Sequence, residues 1–265
     1  MRIIGWLLIA VSLMPLSAAS AAESEHSLSS GEAVIFSIPD VWPWAYEDDD
    51  GTFRGGLVEV ALRLSEISGV PVSPQLRPLR RAIAELRSGQ ANFTILFQNP
   101  ELDNEAINVA TVARVNILLA AMADTAYPLT LADLQGMKVA YIRGTYLGDA
   151  FERDTEVAKV PVNAIRQAVE LLSMGRISAI LASEHNLRQT LSAEGLSPSM
   201  LRYSVHVPEQ VGALYMSRVS SLPDVAVKFK AAIATMNANG ELNRIFYGGV
   251  GVRSASQNDL ARPTQ

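Results

Sequence analysis

Three stretches of the chain gather side chains able to hold a small polar molecule. The first is Trp42-Pro43-Trp44-Ala45-Tyr46, which packs two tryptophans and a tyrosine around a proline. Aromatic faces attract cations and stack on planar groups, at about 0.5–2 kcal/mol per contact. Two tryptophans flanking a proline are hard to bury in one loop, so Trp44 is expected to face a cleft. The second is Gly144-Thr145-Tyr146, between an apolar run and a helical pattern. Backbone N–H groups there, at the positive end of a helix dipole, would form an anion site. The third lies in ANFTILFQNPELDNEA, residues 91–106, where an apolar run stops at Gln98-Asn99-Pro100. Gln98 and Asn99 offer neutral donors and acceptors there, although the same two residues also suit a turn before proline.

Charged candidates are fewer. Arg77, Arg80 and Arg81 precede or begin a helical pattern, where cations oppose the dipole and a compensating anion is expected. Arg81 is the one assigned to a ligand. The acidic turn 48–51 lacks the alternate ligand spacing and closing glutamate of a calcium loop. The chain has no cysteine, hence no disulfide and no thiol nucleophile, and only three histidines: His26, His185 and His206. No Ser-His-Asp order and no metal-ligand spacing stands out. Glu184-His185 is the one adjacent acid and base, and it reads more simply as the start of a surface helix. The expectation is a protein that is not an enzyme and needs no metal or cofactor.

The elements that must position these residues alternate. Residues 32–38 read as a buried strand, 55–69 as an amphipathic helix ended by Gly69, 70–76 as a strand, 78–89 as a helix and 92–97 as a strand. The pattern repeats at 137–142, 144–154, 158–162, 163–175 (capped by Asn163) and 177–182. Such alternation predicts parallel strands joined by right-handed crossovers, with ligands at the carboxyl ends of the strands. Short strands are expected at 116–122 and 211–217, and one or two helices at 223–249.

Bulk properties agree. With 265 residues, 49% apolar and 18% charged, the chain can bury a large core, and general disorder is excluded. Arg2, the apolar run 3–16 and the small residues after it read as a cleaved export signal, 1–22, too short for a spanning helix. Loss of Arg2 from 22 basic and 27 acidic side chains leaves a net charge of −6, which makes nucleic acid a poor partner.

Six segments taken in order resemble the extracellular solute-binding proteins of family 3, the periplasmic type associated with polar amino acid ABC importers. They are WPWAY, DDGTFRGGLVEVALRLSEISG, PLRRAIAELRSGQANF, LADLQGMKVAYIRGTYLGDAF, AIRQAVELLSMGRISAIL and KAAIATMNANGELNRIFYGG. The resemblance covers about 31–250. It implies a two-lobed α/β fold of the type II periplasmic binding protein, each lobe a mostly parallel sheet flanked by helices. Lobe 1 would comprise 31–112 plus 210–250 and lobe 2 113–209, with crossings near 111–115 and 207–211, a linker at 23–30 and a loose tail at 251–265. It further implies a periplasmic monomer that closes on a solute for an ABC permease.

The resemblance places Trp42, Trp44, Tyr46, Arg81, Gly144, Thr145, Tyr146 and Ser183 at the ligand, with Gln98 and Asn99 added for their own neutral donors and acceptors, and matches Glu59 to an acidic position of the first helix. Two departures stand out. Where the family has an arginine clamping an α-carboxylate this chain has Leu102, and where it has an aspartate for the α-ammonium this chain has Ser183, beside Glu184. Leucine offers no bidentate fork. The expected ligand is therefore not a standard α-amino acid. The alternatives are a ligand sensor for a membrane receptor and a periplasmic dehydratase-like enzyme on the same fold.

Overall fold

The computed structural model describes residues 33–220 and 222–248. The expected leader, linker and tail lie outside the described residues. In chain order the described elements are β1 (Val34–Pro39), β2 (Tyr46–Glu47), β3 (Phe53–Arg54), α1 (Gly56–Ser68), β4 (Val72–Arg77), α2 (Leu79–Ser88), β5 (Phe93–Phe97), α3 (Pro100–Glu105) and β6 (Ala106–Met122). They continue with β7 (Lys138–Ile142), α4 (Asp149–Arg153), β8 (Ala158–Val162), α5 (Ile165–Ser173), β9 (Ala179–Ser183), α6 (Glu184–Ala193), β10 (Leu201–Ser217), α7 (Pro223–Ala238) and α8 (Glu241–Tyr247).

Local chemistry explains most of them. α1 buries Leu57, Val58, Val60, Ala61 and Leu64 on one face, leaves Glu59 exposed, and stops where Gly69 turns left-handed at φ 70. α2 stops the same way at Gly89, φ 79. β1, between two parallel neighbours, and β9, between parallel β7 and antiparallel β6, are almost wholly buried, as mostly apolar inner strands covered on both faces should be. The cap of α5 differs from expectation. Ala164 takes that position, and the Asn163 backbone N–H is met by Gln167 Oε1 at 3.3 Å, so the side chain four residues on supplies the oxygen.

One eight-stranded sheet has the order β4-β1-β5-β10-β6-β9-β7-β8. β1 runs parallel to β4 and β5, and β7 runs parallel to β8 and β9. Between the two parallel groups lie β10 and β6, antiparallel to each other from Ser217↔Ala106 to Leu201↔Met122. Both are 17 residues long, whereas the sequence pointed to short strands at 116–122 and 211–217. The reason is visible in β6. Burial recurs at Ala106, Val109, Val112 and Val115, every third residue rather than every second, as a strongly twisted strand rolls its faces. A search for period-two alternation passes over such a segment. The expected crossings lie inside this pair, where Gln210↔Val115 and Val211↔Arg114 face each other and the register shifts between Val207 and Gln210. Glu209 in that bulge has φ 48.

Three clusters form the core. The largest joins β1, β5, α1 and α7, the second packs α5 and α6 on β9, and the third gathers Leu86, Leu96, Leu102, Ala106, Ala213 and Tyr215. Leu102, 3% exposed, is thus a packing residue of the first half rather than a cleft residue. Beneath the β1 end, buried Glu85 accepts hydrogen bonds from Ser37 Oγ at 2.9 Å, Arg77 Nε at 2.9 Å and Arg81 Nε at 2.8 Å. Burial alone would raise the Glu85 carboxyl, but the donors at Arg81, Ser37 and Arg77 outweigh it and hold the group below its usual range.

Because the folded carboxyl is the stronger acid, its contribution is complete above the unfolded value near ~4.3 and is lost as pH falls through the depressed folded value. Glu85→Gln is expected to cost about 1–2 kcal/mol at neutral pH and to flatten this acid limb in denaturant titrations.

Candidate functional site

The two halves meet at a cavity of about 80 Å³. The first half contributes Trp44, Leu57, Leu79, Phe97 and Phe246; the second contributes Ile142, Thr145, Leu147, Ser183 and Asn186. Apart from the Trp44 indole N–H, the polar side chains in this wall, Thr145, Ser183 and Asn186, come from the second half, and no lining side chain is ionisable.

Trp44 is the centre of the apolar side. It is 8% exposed, with ring centroids 6.3 Å from Phe97, 5.5 Å from Phe246 and 4.4 Å from His185. Its carbonyl accepts the Leu57 N–H at 2.9 Å, which seats the loop on the first turn of α1. Gly55 permits this approach: its φ is 104, and a Cβ there would lie 2.5 Å from the Trp44 carbonyl oxygen.

The polar side is the start of α6. Ser183 caps that helix, its Oγ accepting the Asn186 N–H at 3.3 Å and donating to Asn186 Oδ1 at 3.0 Å. Asn186 Nδ2 then reaches the Trp42 carbonyl at 3.4 Å, joining the halves. Sequence reasoning missed Asn186. Its only signal was its place three residues after Ser183, which is the reach of an N-cap.

His185 does stand in the first turn of α6, as the sequence suggests, but it is largely covered rather than a surface residue. Its ring stands between Trp44 and Tyr247, and burial pushes its pKa down to about 4. Glu184 beside it accepts from Asn116 Nδ2 at 3.0 Å and pairs with Arg188 at 2.8 Å, so it holds structure rather than a proton for transfer.

Of the residues proposed from sequence, Trp44, Thr145 and Ser183 line the cavity. Gly144, φ 85, packs against the Arg80 side chain of the opposite half, where a Cβ would come within 3.2 Å of Cγ. The others stand elsewhere. Trp42 is 38% exposed and presents its carbonyl. Tyr46 pairs with Arg54 in the β2–β3 hairpin. Arg81 is committed to Glu85, so the compensating anion expected near the arginines belongs to the protein itself. Gln98 Nε2 donates to Asp103 at 2.9 Å, and Asn99 Oδ1 caps α3 through the Leu102 N–H at 2.9 Å.

The anion site expected at 144–146 is also corrected. α4 begins only at Asp149 and is five residues long, with Asp149 and Glu152 in its first turn. Tyr146 donates to Asp149 at 2.8 Å, and burial followed by that carboxylate raises its pKa to about 12. Among the described residues no group of three or more acidic or histidine side chains could hold a metal ion, and no helix is long and apolar enough to cross a membrane.

Comparison with solved structures places this geometry. A histidine kinase sensor domain with similarity to periplasmic binding proteins superposes with a TM-score of 0.72 at 18% identity, over 83% of this chain and 96% of that one. An ancestral arginine-binding protein bound to arginine gives 0.70 at 15% identity, over 83% and 98%. An ABC uptake transporter substrate-binding protein from Streptococcus pneumoniae with bound histidine gives 0.69 at 17%, over 82% and 92%. No family model matches the chain, and no curated protein sequence matches it. The chain thus has the fold of the periplasmic binding proteins, in the two-lobed type II form that the sequence led us to expect.

Two outcomes are expected. The unfolded chain protonates His185 near pH 6.5 and the folded one only near 4, so on acidification between these values this residue progressively destabilises the fold; His185→Gln should remove that part of the pH dependence of unfolding. Leu102→Arg should lower stability by about 3 kcal/mol in thermal unfolding and create no carboxylate clamp, because it inserts a charge among Leu86, Leu96 and Tyr215.

Proposed function

We propose that the chain is a periplasmic solute-binding protein that closes its two lobes, 31–112 plus 210–250 and 113–209, around a small uncharged solute. The hinge is the β6–β10 pair. The observation that carries this reading is a cavity walled by both halves and lined by no ionisable side chain. A zwitterionic amino acid buried there would leave its carboxylate and ammonium without partners, which costs several kcal/mol per ion. A molecule with a flat apolar body against Trp44 and one hydroxyl or amide toward Thr145, Ser183 and Asn186 would satisfy every group. The halves approach directly at Trp42 and Asn186 and at Arg80 and Gly144, contacts that supply the closed state.

The protein is a binder rather than an enzyme, is exported through the leader 1–22, and works as a monomer that delivers its solute to an ABC permease. A sensory role is the second reading, favoured by the likeness to a histidine kinase sensor domain. Pull-down of a receptor ectodomain instead of a permease would decide for it.

Thermal shift of the chain without 1–22 tests the ligand class, since a ligand at 100 times its Kd adds about 2.7 kcal/mol. Neutral aromatic amides and alcohols are expected to shift the transition; a shift confined to ordinary amino acids overturns the reading. For an identified solute, Trp44→Ala should weaken binding at least about tenfold, the loss of one stacked face. Unchanged affinity would leave Trp44 a packing residue only.

A further inference from the structure

On the far side of the Trp44–His185–Phe246 wall lies a second, much larger concavity of about 600 Å³, lined from both halves by β6, α6, α8 and the neighbouring part of β10. We propose that this groove is a separate ligand site, which takes a small organic anion carrying a ring. Its volume falls in the range of small-molecule pockets, about 300–1,000 Å³.

Its charges favour an anion. Arg114 on β6 and Arg244 on α8 both line it, are exposed, and have no carboxylate within 4.0 Å among the described residues. The third arginine, Arg188, is tied to Glu184, whose other oxygen is taken by Asn116. Glu209 is the remaining carboxylate in the wall, so two guanidinium groups oppose one acid. Guanidinium forks match carboxylates bidentately.

Its aromatic groups are held in place. Tyr247 donates to the Arg114 carbonyl at 2.6 Å and Tyr203 to the Pro198 carbonyl at 3.1 Å, so both rings are fixed in the groove wall, with His185 between Tyr247 and Trp44. Phe246 lines both cavities. Since α6 and α8 belong to opposite halves, an occupant of the groove holds them together beside the hinge.

The test uses benzoate as the anion and benzamide as its neutral counterpart, read by NMR of the His185 ring in the full chain. Only three histidines contribute signals. Benzoate is expected to shift the His185 resonances saturably, at least about tenfold more tightly than benzamide, and Arg114→Gln with Arg244→Gln should abolish that preference. Absence of a saturable shift up to about 10 mM, a generous bound for a fragment-sized ligand, overturns the proposal. So does equal binding of benzamide, or retention of the preference in the double variant. Benzoate binding that falls with Thr145→Val instead would place the anion in the cleft and likewise overturn the second site, whereas failure of the cleft reading alone leaves these results unchanged.

Discussion

The whole structure depends on one antiparallel pair. Among the described residues, β6 and β10 alone stand between the two parallel groups of the sheet, each as one strand of 17 residues. A parallel strand needs a crossover to reach its neighbour, so the helices α1, α2 and α5 are dictated within each half. Among the described residues this ladder is the strand pairing that joins the halves, beside side-chain contacts such as Asn186 with Trp42. The ladder's register shifts between Val205 and Gln210, where Glu209 is left-handed, interrupt the regular pairing between the two parallel groups.

Around the cleft, charge is consumed internally. Glu85 takes Arg77 and Arg81, Asp103 takes Gln98 and Tyr215, and Asp149 takes Tyr146. Only Glu85 among these acids is a buried charge that its donors neutralise, and none of the paired residues lines the cavity, whose wall carries no ionisable side chain. The apolar Trp44 cluster and the short polar edge from Ser183 to Asn186 then define a site of low charge and directional hydrogen bonding. Beyond the same aromatic wall, Arg114 and Arg244 have no carboxylate within 4.0 Å among the described residues, so the two adjoining concavities differ in electrostatic character.

Some of the site was legible along the chain. Trp44, Thr145 and Ser183 lie beside strand ends, where α/β folds gather ligands, and local pattern places them there. Arg81, Gln98 and Asn99 look equally exposed in sequence, yet each is spent on a partner within five residues: Glu85, Asp103 and the Leu102 N–H. Side-chain type announces what a residue can bind, and only the local geometry shows what it has already bound. Asn186 and His185 escaped because their roles come from Trp42 and Trp44, more than a hundred residues away.

By itself, the sequence determined the alternation of strands and helices and their glycine stops, since these depend on periodicity and residue type within a few turns. The tertiary structure alone decided that Leu102 packs into the core, that β6 and β10 are long strands, and that the cavity wall carries no charge. Those features rest on which distant surfaces meet. A strand whose burial repeats every third residue is settled by packing rather than by the local chain.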